Sequence, residues 1–423
     1  MPPTPDADPS SPAPAIPRLS DKDGVREYVC SGPLFPQLGL TTAEVTDTRV
    51  GAWQSLAAQL CAQLDFDADP AALAPSQAAR VYRYYLPVYL WCTARLDAHR
   101  EAWRRRLNDN ETHQPEQQQQ QQQTFSSPYS TPEPPPPPPL VIGLSAPQGC
   151  GKTTIVTQLQ RLLSATNVAA TSFSIDDVYL TGAEQDDLAA AHPDNALLRF
   201  RGNAGSHDVS LGIDVLRALK NINNENEKNN EKEKDKGGDG DVGGGGGVAV
   251  PRYDKTMRGG RGDRAPSSTW PTVRAPLDVV LLEGWMLGFE PVGSDAAAAV
   301  DPDLTRVDEA LMNDGYDGLH ALVDDWMVVR VGDPEWVYKW RLQAEVAARD
   351  AGKPTLTDDE VADFVARFMP AYVAYLPRLY DAGPPLGALR GGEEGVVVVA
   401  GEGEGGGAGR VLTIRVDAER NVV

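Results

Sequence analysis

The stretch LVIGLSAPQGCGKTT, residues 140–154, joins a short apolar run to a turn of small residues and then to the start of a helix. Leu140 to Leu144 is unbroken and apolar, as suits a parallel strand buried on both faces. Ala146-Pro147-Gln148-Gly149-Cys150-Gly151-Lys152-Thr153 fits the phosphate-binding loop pattern, with Ala where the first Gly usually stands. Small residues let successive backbone N–H groups wrap phosphate oxygens, and the N-terminus of a helix expected from Lys152 to about Leu163 adds partial positive charge. In this pattern Lys152 reaches the outer phosphates, Thr153 is placed to ligate Mg2+, and Thr154 extends the nucleotide-binding set. Cys150 invites a redox reading, but a small residue tolerated in the turn is the simpler account. The sequence predicts an ATP-binding α/β fold of the P-loop NTPase type: a parallel sheet with helices on both faces, and a helical N-terminal region.

Further charged groups are expected along the same sheet edge. Ala170 to Ser174 leads into Ile175-Asp176-Asp177, and a carboxylate at a second strand end can face the loop across the edge where parallel sheets bind ligands. Asp176 is the candidate base that orients and deprotonates an acceptor hydroxyl; Asp177 is read as a helix cap. In RFRGNAGSHD (199–208), His207 and Asp208 are candidate substrate contacts, with capping as the alternative for Asp208. Arg252, Tyr253, Lys255, Arg258, Arg261 and Arg264 crowd a Gly-rich segment that either clamps an anionic substrate through paired N–H donors or is a solvated loop. An integrin-type reading of Arg261-Gly262-Asp263 needs an extracellular protein and is set aside. Leu277 to Leu282 delivers Glu283 to a strand end, where an acid meets Mg2+. Arg341, on a helix expected from Pro334 to about Arg349, is either a lid cation over the phosphates or half of a surface ion pair.

Composition bounds the rest. The chain has 423 residues, 41% of them apolar, enough to bury a large core. Its net charge of -21 argues against nucleic acid and anionic membranes as partners, so a phosphate site has to be locally basic. Four cysteines without paired spacing suggest a reducing compartment and no structural zinc. No apolar run is long enough to span a bilayer, and the acid-bearing N-terminal stretch is unlike a transit peptide, so a cytoplasmic location is expected. Residues 1–20 read as a disordered tail, 21–107 as a helical region with Pro87 starting or breaking its second helix, and 108–139 as a linker carrying runs of Gln (117–123) and Pro (134–139). The catalytic domain is expected over 140–423, with strands at 278–282 and 326–331 and surface insertions at 221–247 and 391–409.

Taken in order, GLSAPQGCGKTT, SIDDVYLTG, NALLRFRGNAGSHD, VPRYDKTMRGGRGDRA, STWP, LLEGWMLGF, VYKWRLQAE and FMPAYVAYLPRLY resemble the D-glycerate 3-kinase family of plants and fungi. That family belongs to the P-loop group that includes uridine kinase, phosphoribulokinase and pantothenate kinase. RVYRYYLPVYLW extends the resemblance into the N-terminal region. The resemblance implies ATP- and Mg2+-dependent phosphorylation of the 3-hydroxyl of D-glycerate, with Asp176 at the catalytic acid position, Lys152 and Thr153 in the loop, Glu283 at the acidic strand end and Arg341 on the lid helix. Phosphorylation of another small hydroxyl compound, such as a nucleoside or pantothenate, is the alternative within enzymes. A nucleotide-binding scaffold without turnover is the alternative outside them, and Asp176 and Glu283 argue against it.

Overall fold

Every residue of strand β1 (Leu140–Ser145) is buried, as its unbroken apolar run requires. It is the middle strand of a sheet completed by β2 (Ala170–Ser174), β3 (Val279–Gly284), β4 (Asp325–Val331) and β5 (Val411–Val416). The order is β2-β3-β1-β4-β5, and every neighbouring pair is parallel. The computed structural model describes residues 19–112, 135–234, 247–352, 356–386 and 408–423. Parallel strands need crossover connections, and the helix Lys152–Ala165 that follows β1 makes one, burying Ile155, Val156, Leu159, Leu162 and Leu163 at helical spacing. Register then places the chemistry. Leu144 lies opposite Glu283, and Glu283 opposite Ser174, so the phosphate loop, the acid and the Asp176 turn emerge along one edge.

The N-terminal helices Lys22–Cys30, Asp47–Gln63 and Leu86–Thr112 share one continuous apolar core with the sheet. A π-helical turn, Ala79–Tyr85, runs directly into the last of these, so Pro87 lies within a continuous helical run, one residue after the π-helical turn. Two polar joints fix this layer. Asp325, 2% exposed, takes Arg95 at 2.9 Å from the helix and Arg410 at 3.2 Å from the segment before β5. The Gln37 side chain both donates to the Thr413 carbonyl and accepts from its N–H, each at 2.8 Å. It thereby covers the open edge of β5 as a strand residue would.

Several boundaries differ from expectation. Leu19, assigned to the tail, is buried in the N-terminal core. The end of the Pro run is docked: the carbonyls of Pro135, Pro137 and Pro138 accept from Trp103, Asn223 and His99. The insertion expected from residue 221 instead continues the helix Val209–Lys234, because Ile222 is buried and Asn223 bridges the carbonyls of Pro137 and Leu277. The Gln run, residues 235–246 and most of the 391–409 tract lie outside the described residues. Strand β5 was not foreseen at all. Among the described residues no helix is long and apolar enough to cross a membrane.

Candidate active site

The loop after β1 is shaped by glycines and held by distant side chains. Gly149 and Gly151 adopt φ of 78° and 98°, and a Cβ on Gly149 would stand 2.8 Å from that of Trp340. The Gln148 N–H donates to the Tyr372 hydroxyl at 3.0 Å, and Arg420 donates to the Gly149 carbonyl at 2.7 Å. Ala146 is buried and its N–H donates to the Gly284 carbonyl, so the residue in the first Gly position is a fixed point of the loop. Cys150 is buried with its thiol donating to the Pro147 carbonyl, and burial pushes its pKa up, which favours the small-residue account over the redox reading. The Lys152 ammonium lies within the loop, donating to the carbonyls of Ala146 at 2.9 Å and Pro147 at 3.2 Å. Thr153 and Thr154 are exposed on the first turn of the helix.

The two neighbouring aspartates separate cleanly. Asp177 accepts from the Ser174 and Tyr253 N–H groups and pairs with Arg252 at 3.2 Å, which holds the short 3-10 turn Ile175–Val178 in place. Asp176 keeps 26% of its side chain exposed and pairs with Lys255 at 2.6 Å. Burial pushes its carboxyl up, but the charge and hydrogen bond of Lys255, with the Lys152 charge behind them, overcome this and hold it below the usual carboxylate range. Burial raises the Glu283 carboxyl; Lys152 opposes the shift and the Asp176 charge adds to it. Lys152, Asp176 and Glu283 therefore sit within one another's electrostatic reach.

His207 is buried, stacked on Tyr179 with centroids 4.5 Å apart, and its Nδ1 meets the Tyr316 hydroxyl at 2.8 Å. Burial pulls its pKa down to about 4, so it is neutral at physiological pH, and its Nε2 has no partner among the described residues. Asp208 caps the helix Val209–Lys234 by accepting from the Leu211 N–H, and pairs with Arg264 at 3.2 Å. The basic segment forms a short antiparallel ribbon, Tyr253–Asp254 with Asp263–Arg264, and does not present its cations freely. Arg252, Lys255, Arg258 and Arg264 pair with Asp177, Asp176, Asp186 and Asp208. Arg261 has no carboxylate partner among the described residues and lies 5.8 Å from the centre of the Phe200 ring. Arg341 is brought beside Gly149 through its backbone, but its guanidinium pairs with Glu345 at 2.6 Å and lies 5.2 Å over Phe364.

A P-loop whose lysine shares an electrostatic neighbourhood with two strand-end carboxylates, at the C-terminal edge of a parallel sheet, defines a P-loop kinase. The relatives narrow this class. The chain is 39% identical over 405 residues to the chloroplastic D-glycerate 3-kinase of Arabidopsis thaliana, spanning 96% of this chain and 74% of that one. It is 34% identical over 249 residues to the uncharacterized kinase mug58 of Schizosaccharomyces pombe, covering 56% and 82% of the two chains. Among solved structures, a D-glycerate 3-kinase from Cryptococcus neoformans var. grubii superposes with a TM-score of 0.52 at 26% identity, covering 71% of this chain and 92% of that one. No family model matches the chain. The chain belongs to the D-glycerate 3-kinase family.

Proposed function

We propose that this chain transfers the γ-phosphoryl group of ATP to the 3-hydroxyl of D-glycerate, giving 3-phosphoglycerate and ADP. The observation that carries the chemistry is Asp176: an ionised carboxylate at the end of β2, in reach of the Lys152 charge. The acceptor oxygen attacks the γ-phosphorus, the bond to the β–γ bridging oxygen breaks, the hydroxyl proton passes to Asp176, and ADP departs. A depressed pKa makes Asp176 a weak base, which suits a loose transition state where the hydroxyl loses its proton late and alignment matters most. Lys152 exchanges the loop carbonyls for phosphate oxygens and stabilises the charge on the transferring group. Arg341 adds to this once its guanidinium leaves Glu345.

The oxygen donors present suit Mg2+, which takes one or two carboxylates together with substrate phosphates and water. Thr153 and Glu283 would hold it, with Asp176 adjacent, and among the described residues there is no cluster of three or more acids, histidines or cysteines of the kind a protein-only cage needs. When bound, the cation neutralises charge on the β- and γ-phosphates. A cytoplasmic location is part of the proposal; the Arabidopsis relative is named chloroplastic, and imaging of the full chain tagged at its C-terminus separates the two locations. The chemistry is tested by NMR of the product formed from ATP, Mg2+ and D-glycerate, beside L-glycerate, a nucleoside and pantothenate. A phosphorus coupled to the C3 protons of glycerate is expected; ADP release with only another acceptor sinks the reading.

A further inference from the structure

Three arginines that the ribbon does not contain gather at Phe200 and Tyr253. The guanidinium carbons of Arg199 and Arg367 lie 5.5 Å and 4.7 Å from the ring centre, and that of Arg201 lies 5.4 Å over the Tyr253 ring. Arg199 has no carboxylate within ion-pair distance among the described residues. Arg201 donates only to backbone carbonyls there, those of Gly260 and Arg261. Arg367 has one carboxylate, Asp363, at 3.9 Å on its own helix and 79% exposed. Asn203, 2% exposed, donates to the Arg367 carbonyl at 3.1 Å and so locks that arginine to the loop carrying the other two. Burial, and behind it the charges of Arg201 and Arg199, depress the Arg367 pKa against the pull of Asp363.

Packing like charges together is unfavourable, and a chain with 60 acidic residues had the means to neutralise them. The ribbon beside them shows that it does so elsewhere: Arg252, Arg258 and Arg264 each have an aspartate. Two aromatic rings connect the cluster to the candidate base. Arg201 covers Tyr253, whose ring meets that of Tyr179 edge-on at 5.3 Å, and the Tyr179 phenol is raised by burial and by the Asp176 charge. A small, open recess at Phe200 is lined by Arg199, Arg201 and Arg261, together with the Arg258–Asp186 pair. From the juxtaposition of this uncompensated cluster with the Tyr179–Asp176 edge, we infer that Arg201 and Arg367, with Arg199 at the rim, bind the carboxylate of the acceptor while its hydroxyl end lies at Asp176. The subsite rests on the functional reading above and shifts substrate recognition from the ribbon's Arg252 and Arg264 to this cluster.

The test uses the full chain and the variants Arg201→Ala and Arg367→Ala, with Arg201→Lys and Arg367→Lys as variants that keep the charge and bulk. Losing a paired, charge-assisted contact is expected to raise the KM for D-glycerate about 10- to 100-fold. The KM for ATP should stay within about twofold, because no cluster arginine touches the phosphate loop. The Lys variants should recover part of the loss. The preference for D-glycerate over its uncharged amide, measured as a ratio of kcat/KM, should fall by the same factor. An unchanged KM for D-glycerate, or an unchanged acid-to-amide ratio, in a wild-type enzyme active on D-glycerate overturns the subsite alone. A wild-type enzyme that releases no ADP with D-glycerate overturns the functional reading and the subsite with it.

Discussion

Replacing Asp176 with Asn isolates the proposed base with little disturbance of the fold. The amide keeps an oxygen for Lys255, and the pair it replaces is open to water, with Lys255 58% exposed, so it contributes no more than about 1 kcal/mol to stability. The loop contacts of Lys152, Gln148 and Gly149 involve other partners, so the KM for ATP should hold. A positioned general base contributes roughly 10²–10⁴ in rate. Because Lys255 holds Asp176 below the usual carboxylate range, its driving force as a base is small, and the lower half of that range, about 10²–10³ in kcat, is expected, or about 3–4 kcal/mol. Steady-state ADP release with D-glycerate measures it. A companion variant, Lys255→Met, removes the cation that opposes burial, so the Asp176 pKa rises and the acid limb of kcat/KM moves to higher pH. A kcat for Asp176→Asn within tenfold of wild type, or an acid limb that stays in place in Lys255→Met, would refute the assignment.

Lys152→Ala should raise the KM for ATP and lower kcat by about 10² or more, read in the same assay; normal kinetics would remove the loop from the mechanism. Asp325→Ala strands Arg95 and Arg410 at the joint between the N-terminal helix and the sheet and should cost about 3 kcal/mol in urea unfolding, while a loss under about 1 kcal/mol would show the joint to be solvent-screened. His207 and His320 are both pulled down to about 4 by burial, against about 6.5 when unfolded. Between those values the unfolded chain binds more protons, so stability is complete above pH 6.5 and falls towards pH 4, by about 2 kcal/mol per histidine at pH 5. Urea midpoints at pH 7 and 5 should show this, with a shallower decline in His320→Gln; a wild-type midpoint that does not move refutes it.

The parts of the site readable from sequence are those whose meaning is local. LVIGL followed by small residues and Lys152 announces strand, turn and helix together, and the Asp176-Asp177 pair announces one cap and one candidate base. The rest depends on long-range closure. Val411–Val416 follows a Gly-rich tract and has only alternating burial, the pattern of an edge strand, so nothing nearby marked it as part of a parallel sheet. Arg252 and Arg264 look like substrate clamps until folding brings Asp177 and Asp208 to them. Arg199, Arg201 and Arg367 carry the opposite lesson. Among the described residues only the exposed Asp363 stands near them, beside Arg367, a scarcity of carboxylates that no spacing along the chain can reveal. The helix through residue 221 went unread because its polar composition hid the buried Ile222 and Asn223.

The way the loop is held constrains how the proposed lid can work. Trp340, fully buried, presses its Cβ against Gly149 and donates its indole N–H to the Ala418 carbonyl at 2.7 Å. Arg420 lies 5.2 Å from that ring while bonding the Gly149 carbonyl. The helix bearing Arg341, the C-terminal turn and the phosphate loop thus form one packed unit. A swing of the whole helix would break the indole bond, open a void beside a large aromatic side chain, at several kcal/mol by the cost of emptying such sites, and release the loop whose preorganisation the reaction needs. Rotation of the Arg341 side chain away from Glu345 requires none of this, and Glu345 retains the Leu356 N–H at 3.1 Å as a partner. In the proposed lid role, closure over the phosphates would therefore be a rotamer change of Arg341 on a fixed helix. Glu345→Gln, which weakens the competing pair while leaving the helix packed, should lower the KM for ATP with the thermal midpoint unchanged; a raised KM would mean that Glu345 positions Arg341 for the phosphates and does not restrain it.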